Sequence, residues 1–386
     1  MTFHFAKGFP METFDSVLKY EEKAVFGLRA LYRKFGYTQY KMSKFEEYEL
    51  YVRNKDFLVS DNVITFTDTN GRLMALKPDV TLSIIKNGSD EPGVVQKVYY
   101  NENVYRVSKG SHQFKEIMQV GLECVGAIDG YCISEVLGLA AESLLSITAD
   151  CVLDVSHLGI ISACIDRLQP DEETRAAILK CVGEKNTHEI TAICRNAGLD
   201  ETLTATLVKL ISTHGTAEPV LPVLRALCAD DAAAFACVEE LASVVGALGN
   251  TRAASVIHID FSVTSDMNYY NGIVFRGFVM GIPTGILSGG QYDKLMAKMG
   301  RKSGAIGFAV YLDLLERLEE DEQKYDVDTV ILYTENDDMD ALRGTVRMLT
   351  DAGQTVMAQK AVPEKLRYKQ LLRLCGKGVE IVEANA

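Results

Sequence analysis

Gln119-Val120-Gly121-Leu122-Glu123 is the stretch on which the fold turns. It sits within Ile117–Val125, which, like Val94–Tyr105 before it, carries the β-branched and aromatic residues of a strand. Side chains alternate across a strand with a period of two, so Gln119 and Glu123 project from one face. The polar loop Lys109-Gly110-Ser111-His112-Gln113 joins the two runs.

Toward the N-terminus, Val63–Thr67 and Arg72–Leu76 flank Asn70-Gly71, a hairpin signal because both turn residues tolerate positive φ. Pro78 ends the second strand, and a short helix is expected over Val80–Lys86. Val25, Leu28, Tyr32 and Phe35 recur at helical spacing before Gly36, which stops that helix.

Toward the C-terminus, Ser134–Ile147 reads as a helix and Val152–Val155 as a strand. From about 159 to 249 the chain is rich in Ala, Leu and Glu and poor in strand runs, which predicts an all-helical insertion. Strand patterns return at Ser255–Phe261, Gly272–Val279 and Gly289-Gly290, and a helix is expected over Gly307–Leu318. Strands that resume after a long insertion imply one antiparallel sheet flanked by helices, an α+β domain over 1–322. The acidic Glu319-Glu320-Asp321-Glu322 serves as a linker or a solvated helix end. Over 323–386 the order strand 328–333, helix 338–352, strand 355–359, helix 364–374, strand 379–383 predicts a small α/β domain.

Composition bounds the function. The 386 residues carry a net charge of −13, and 47% are hydrophobic. This acidic balance weighs against a nucleic acid as the main partner, because phosphate contacts need clustered Lys and Arg, although a local basic face can sit on an acidic protein. No apolar run reads as long enough to span a bilayer, and Met1–Pro10 has no secretory pattern, so a cytoplasmic protein is expected. Nine scattered cysteines without C-x-x-C spacing read as reduced, mostly buried thiols. The six histidines lack metal-binding spacing, and there is no P-loop, Rossmann or nucleophile-elbow motif. No metal or cofactor is implied.

Four segments are unusually polar for their setting. They are Lys77-Pro78-Asp79-Val80-Thr81, Arg106 after Val104-Tyr105, Gln119 with Glu123, and Tyr269-Tyr270-Asn271-Gly272. A pocket for a free amino acid needs carboxylates or carbonyls for the ammonium and cations or amides for the carboxylate. For an imidazole side chain, an acid such as Glu123 and a phenol such as Tyr269 or Tyr270 supply acceptor and donor. Taken singly, each segment has a structural reading as well. Asp-x-Thr is the pattern of a helix N-cap, paired tyrosines serve cores, and Gly289-Gly290 marks a bulge or a close approach.

Taken in order, these segments resemble the class II histidyl-tRNA synthetase family. Phe66–Arg72 with Pro78–Thr81 is similar to its "F-x-D-x-x-G-R…L-R-P-E-x-T" stretch. Val104–Arg106 through Glu123 is similar to motif 2, and Tyr269–Phe275 to "Y-Y-T-G-x-V-F". Gly290–Asp293 with Gly307–Ala309 is similar to "G-G-R-Y-D…G-F-A". The resemblance implies a histidine pocket with Asp79, Thr81 and Gln119 near the ammonium, Arg106 on the carboxylate side, and Glu123, Tyr269 and Tyr270 near the imidazole.

Departures from the family pattern bear on activity. The motif 3 arginine falls at Leu314, and the arginine of "R-G-L-D-Y-Y" at Ser265. The acidic residue after the motif 2 arginine falls at Ser108, and the motif 1 proline at Ser43. Phosphoryl chemistry depends on positioned cations, so losing two arginines spares amino-acid binding and disables activation. That pattern, with Asp154–Gly159 leading into the insertion, resembles the synthetase-like regulatory subunits of ATP phosphoribosyltransferase. This implies a non-catalytic chain that binds histidine for feedback inhibition. It also implies a homodimer within a larger hetero-oligomer with a short-form catalytic subunit, and no nucleic-acid or membrane partner. The alternatives are a divergent histidyl-tRNA synthetase and an amino-acid sensor or scaffold for another partner. The C-terminal domain resembles a shortened anticodon-binding domain. Lys365–Lys369 with Arg373 and Lys377 reads as a solvated helix face rather than an RNA surface, since ten acids stand against eight bases from Asp326 onward.

Overall fold

In the computed structural model, residues 18–55, 58, 63–88, 90–107, 113–264, 269–318, 325–376 and 378–385 are described. The chain divides into two compact units, Met1–Leu318 and Glu319–Ala386.

The first unit runs α1 (Tyr20–Lys34), β1 (Thr38–Gln39), β2 (Phe45–Glu47), α2 (Tyr48–Arg53), β3 (Thr65–Thr67), β4 (Leu73–Leu76), α3 (Thr81–Asn87), β5 (Val95–Val107), β6 (Phe114–Gly126), α4 (Gly130–Ile147) and β7 (Cys151–His157). The insertion follows as α5 (Leu158–Leu168), α6 (Glu172–Gly183), α7 (Thr187–Asn196), α8 (Glu201–Ser212), α9 (Ala217–Leu227) and α10 (Ala232–Gly246). After α11 (Arg252–Ser255) come β8 (Ile257–Ile259), β9 (Ile273–Val279), β10 (Leu287–Gln291), α12 (Asp293–Lys298) and β11 (Gly304–Tyr311), then a 3-10 segment, Leu312–Leu318.

Eight strands form one sheet in the order β1-β5-β6-β11-β10-β9-β7-β8. Its inner pairs are antiparallel, and only the edge strands β1 and β8 join in parallel. The insertion therefore sits between β7 and β8, and the sheet closes across it, as the sequence pattern implies. β6 divides its residues by face. Val120, Leu122 and Cys124 join the core with Leu28 and Tyr32 of α1 and Leu137 and Leu144 of α4. Gln119, Gly121 and Glu123 take the other face, toward a second cluster that includes Val80, Ile84, Tyr100, Tyr269 and Tyr292. This alternation follows from the pleat.

Three local readings need correction. The helix expected over Gly307–Leu318 is β11 followed by a 3-10 turn, because the Gly304–Tyr311 backbone pairs with β6 on one side and β10 on the other. The β3–β4 turn is closed by the Asp68 carboxylate, which accepts from the amides of Asn70 and Arg72 at 2.8 Å each. Only Gly71 there takes positive φ, at 80°. Finally, α4 is long and apolar enough to cross a membrane by length and composition, with 18 residues at a mean hydropathy of 1.3. It is also 61% buried inside the protein, and its apolar side chains belong to the core beside the sheet.

The second unit holds β12 (Val327–Leu332), α13 (Met339–Asp351), β13 (Val356–Gln359), β14 (Tyr368–Cys375) and β15 (Gly378–Ala384), in the sheet order β13-β12-β14-β15. The helix expected over 364–374 is instead β14, lying between β12 and β15. Leu371, Leu372 and Leu374 are buried there, so both faces of this inner strand are covered and its apolar run carries no clear period. The basic helix face expected here therefore does not exist. Arg367 pairs with Asp326 at 2.7 Å, and Lys377 lies outside the described residues.

Candidate functional site

Strand β6 carries the two central side chains. Gln119 and Glu123 point from the face opposite the helical core, and both are almost fully buried. Glu123 faces Val98 on β5 and Gly307 on β11, while Gln119 faces Glu102 and Tyr311. The glycines clear the space. A Cβ at Gly307 would collide with Glu123 Oε2, and one at Gly121 would collide with the Tyr100 hydroxyl.

Two hydroxyls hold the Glu123 carboxyl. Thr81 Oγ1 donates to Oε1 at 2.8 Å, and the Tyr292 hydroxyl donates to Oε2 at 2.5 Å. Burial raises the pKa of Glu123 to about 8; both hydrogen bonds pull it down, and the nearby Asp79 charge adds to the rise. In the folded protein at neutral pH this carboxyl is mostly protonated. It can donate to one ring nitrogen of an imidazole, or pass its proton to it.

Asp79 lies just before α3. Its Oδ1 accepts from the Leu82 amide at 2.9 Å, so the helix-capping reading of Asp-x-Thr is realised. Burial raises its pKa against the Leu82 amide, the Arg106 charge and the Thr81 amide. Arg106 is half-buried, and its Nε donates to the Pro78 carbonyl at 3.1 Å. Tyr269 is buried with its ring centroid 5.8 Å from that of Tyr292 and 4.6 Å from that of Tyr270. Tyr270 hydrogen-bonds Ser288, and its ring lies over Gly290, where a Cβ would approach within 2.9 Å. The close approach expected at Gly289-Gly290 is thus packing against Tyr270 and the neighbouring strands.

The fold therefore gathers Asp79, Thr81, Arg106, Gln119, Glu123, Tyr269 and Tyr270 around one face of the sheet. Within this group Gln119 Nε2 is buried without a protein acceptor. An amide proton in that position suits an acceptor brought by a ligand. Sequence reasoning missed Tyr292, although Gly290-Gln291-Tyr292-Asp293 had marked its segment. It named Lys77 only as part of its polar segment, whereas the residue is wholly buried and ion-paired with Glu102. Nothing in the local sequence distinguishes Lys77 from a solvated lysine.

The family departures fall on this frame unevenly. Leu314 is half-buried and packs against the main core. Ser43 is exposed, and its Oγ accepts from the Phe45 amide at 3.1 Å. Ser108 and Ser265 lie outside the described residues, as do Lys109–His112.

Residues 14–315 match the family described as histidyl-tRNA synthetase. An ATP phosphoribosyltransferase regulatory subunit from Oceanobacillus iheyensis is 25% identical over 331 residues, covering 84% of this chain and 81% of that protein. One from Clostridium kluyveri is 27% identical over 300 residues, 76% of each. A histidine–tRNA ligase from Methanocaldococcus jannaschii is 26% identical over 295 residues, 74% of this chain and 68% of the ligase. Among solved structures, an ATP phosphoribosyltransferase regulatory subunit/histidyl-tRNA synthetase from Bacillus halodurans superposes with a TM-score of 0.72 at 20% identity, covering 97% of this chain and 100% of that one. A chain of the ATP phosphoribosyl transferase (HisG:HisZ) complex from Thermotoga maritima gives 0.60 at 18% identity, covering 76% and 97%.

Proposed function

Because this chain belongs to the histidyl-tRNA synthetase family, we propose that it is the regulatory subunit of an ATP phosphoribosyltransferase: it binds histidine and carries feedback inhibition to a separate catalytic subunit. It has no catalysis of its own and acts in histidine biosynthesis. Its partner is the short-form catalytic subunit, joined in a hetero-oligomer built on a homodimer of this chain. Its setting is the cytoplasm.

What supports this reading is a hydrogen-bonded polar group on one face of the sheet together with an apolar residue, Leu314, at the place where the family resemblance expects a cation. Thr81, Glu123 and Tyr292 form a connected hydrogen-bonded group suited to an imidazole. Leu314 turns its apolar side chain into the core, where a synthetase of this family carries a phosphate-clamping arginine. A charge-assisted contact is worth roughly 1.5–3 kcal/mol, and more where it meets developing charge in a dry site. Without it, binding of the amino acid survives while adenylate formation becomes slow. The names borne by the Oceanobacillus iheyensis and Clostridium kluyveri relatives support the same reading.

The deciding experiment reconstitutes this chain with a short-form catalytic subunit and follows phosphoribosyl-ATP formation with each protein alone and mixed. Activity that needs both proteins and falls on histidine titration is the expected result. Activity independent of this chain would overturn the proposal. The Methanocaldococcus jannaschii ligase keeps a synthetase in view as the rival reading. Histidine-dependent pyrophosphate exchange above background would establish that reading instead.

A further inference from the structure

Glu123 is gripped by one hydroxyl from each of two short helical segments. Thr81 opens α3, and Tyr292 immediately precedes α12. Resting on the reading of this site as a histidine pocket, we infer that Arg301 is a positioning residue for it. From just past α12, Arg301 clasps the far end of α3 and so sets the spacing of the two donors about the Glu123 carboxyl.

The need for a clasp arises in α3 itself. Gly88, after its last residue, is extended, with φ of −73° and ψ of 171°, so no left-handed cap closes the helix. The last carbonyls of a helix have no partner within it. Arg301 supplies one. Its Nη2 lies 2.8 Å from the carbonyl oxygens of Ile85 and Gly88 and 3.2 Å from that of Lys86. A cation also suits the negative end of the helix dipole. Nη1 lies 3.5 Å from the Asp90 carboxylate, whose other oxygen accepts from the Ser303 hydroxyl.

The same residue is fixed to α12. Gly300 takes φ of 75°, and this left-handed turn brings the Arg301 amide back to the Met296 carbonyl at 2.9 Å. The start of α12 is anchored as well. The Asp293 amide donates to Asn271 Oδ1 at 2.7 Å, and its carboxylate accepts from the Asn271 side chain at 3.0 Å and the Ala305 amide at 2.9 Å. Tyr292 therefore stands on a fixed base. α3 is bonded from β2, where Glu46 accepts from Ser83 and Lys86 at 3.0 and 2.9 Å, and from the α12 side by Arg301. Its seven residues span roughly 10 Å, short enough to shift as one rod. A displacement at Ile85–Gly88 thus reaches Thr81.

The test uses the full chain. Arg301→Gln removes the charge and the planar fork. Histidine affinity, read by calorimetry, should fall about tenfold. Arg301→Lys places one point charge there and should recover part of the loss. In a Thr81→Val background the Arg301→Gln change should cost at most about twofold, because the donor that Arg301 positions is gone. A residue that only supports the fold would cost the same in both backgrounds. Should Arg301→Gln fail to fold, Arg301→Lys carries the same comparisons at smaller amplitude.

A second readout needs no ligand. The titratable groups facing Glu123 are Asp79, Tyr100, Tyr269, Tyr270 and Tyr292. Loosening Thr81 and Tyr292 weakens the two bonds that pull the Glu123 pKa down. In Arg301→Gln the loss of stability with rising pH should then extend further above about pH 8, and adding Glu123→Gln should abolish that difference. Asp90, beside Arg301, is held below its ordinary value by Ser303 and Arg301 and so titrates outside this range. Unchanged histidine affinity, equal losses in the two backgrounds, or an unshifted pH profile would each overturn the inference. A wild-type chain that binds no histidine would overturn the histidine reading instead, and the pH profile of the empty protein would then decide the role of Arg301.

Discussion

Gly307 lies directly across from Glu123 on adjoining antiparallel strands, and its missing side chain leaves the space that the Glu123 carboxyl occupies. Gly307→Ala is therefore expected to displace Glu123 from Thr81 and Tyr292. Overpacking of this kind costs roughly 1–3 kcal/mol. Histidine binding should be lost alongside a modest drop in stability. Calorimetry with histidine and urea denaturation of the same variant check this. A variant that binds histidine normally would remove Glu123 from the pocket.

The buried Glu123 carboxyl gives the empty protein a pH signature. Its folded pKa, about 8, is raised from an ordinary 4.5. A raised acid contributes stability that is present below the unfolded value and lost as pH rises through the folded one. Stability should therefore fall between about pH 4.5 and 8 by an amount on the order of a few kcal/mol. Glu123→Gln should flatten that slope. Denaturation midpoints across the range, wild type against variant, provide the measurement, and equal slopes would contradict the buried protonated carboxyl.

Tyr292→Phe removes the donor to Glu123 Oε2 and leaves a buried acceptor without its hydroxyl. The expected cost is about 1–3 kcal/mol, or roughly tenfold or more in histidine affinity. The bond also pulls the Glu123 pKa down, so the variant should move the pH dependence of stability further upward. Unchanged affinity with an unchanged pH profile would show that Tyr292 is only packing.

Lys185 ties the helical insertion to the sheet. Its Nζ meets the buried Asp260 carboxylate at 2.5 Å, from a backbone with φ of 52° in the turn between α6 and α7. Asp260 also accepts from the amide and hydroxyl of Ser262, at 2.8 and 2.7 Å. Burial pushes its pKa up, but Lys185 and Ser262 outweigh it and hold it below the usual value. Lys185→Met should cost roughly 1–3 kcal/mol at neutral pH. A depressed acid loses its contribution as pH falls through the folded pKa, so the difference from wild type should close under acid conditions. Proteolysis or hydrogen exchange at 183–187 across pH tests this.

Much of the candidate site's grouping on one sheet face was legible because its residues occupy ordered strand and turn segments. Gln119 and Glu123 share a face through the two-residue period, and Asp79 and Thr81 follow a strand-ending Pro78. Tyr269 and Tyr270 precede a strand. Periodicity failed at β11 and β14, where inner strands buried on both faces lose the alternation that would separate them from helices. Pairing partners far along the chain decided both.

The sequence alone determined that one antiparallel sheet reforms across a helical insertion, because strand patterns stop near 159 and resume near 255. Its resemblance to the family sets Leu314 at the place of the motif 3 arginine. Tertiary structure decided what the pocket's acid is. Glu123 is a buried carboxyl bonded by Thr81 and Tyr292, and its pKa is raised to about 8 because residues from β6, α3, β11 and the start of α12 converge on it and exclude water. The reading that began at Gln119-Val120-Gly121-Leu122-Glu123 could assign Glu123 to a face. Its charge depends on neighbours up to 169 residues away, and that distance lies beyond any local pattern.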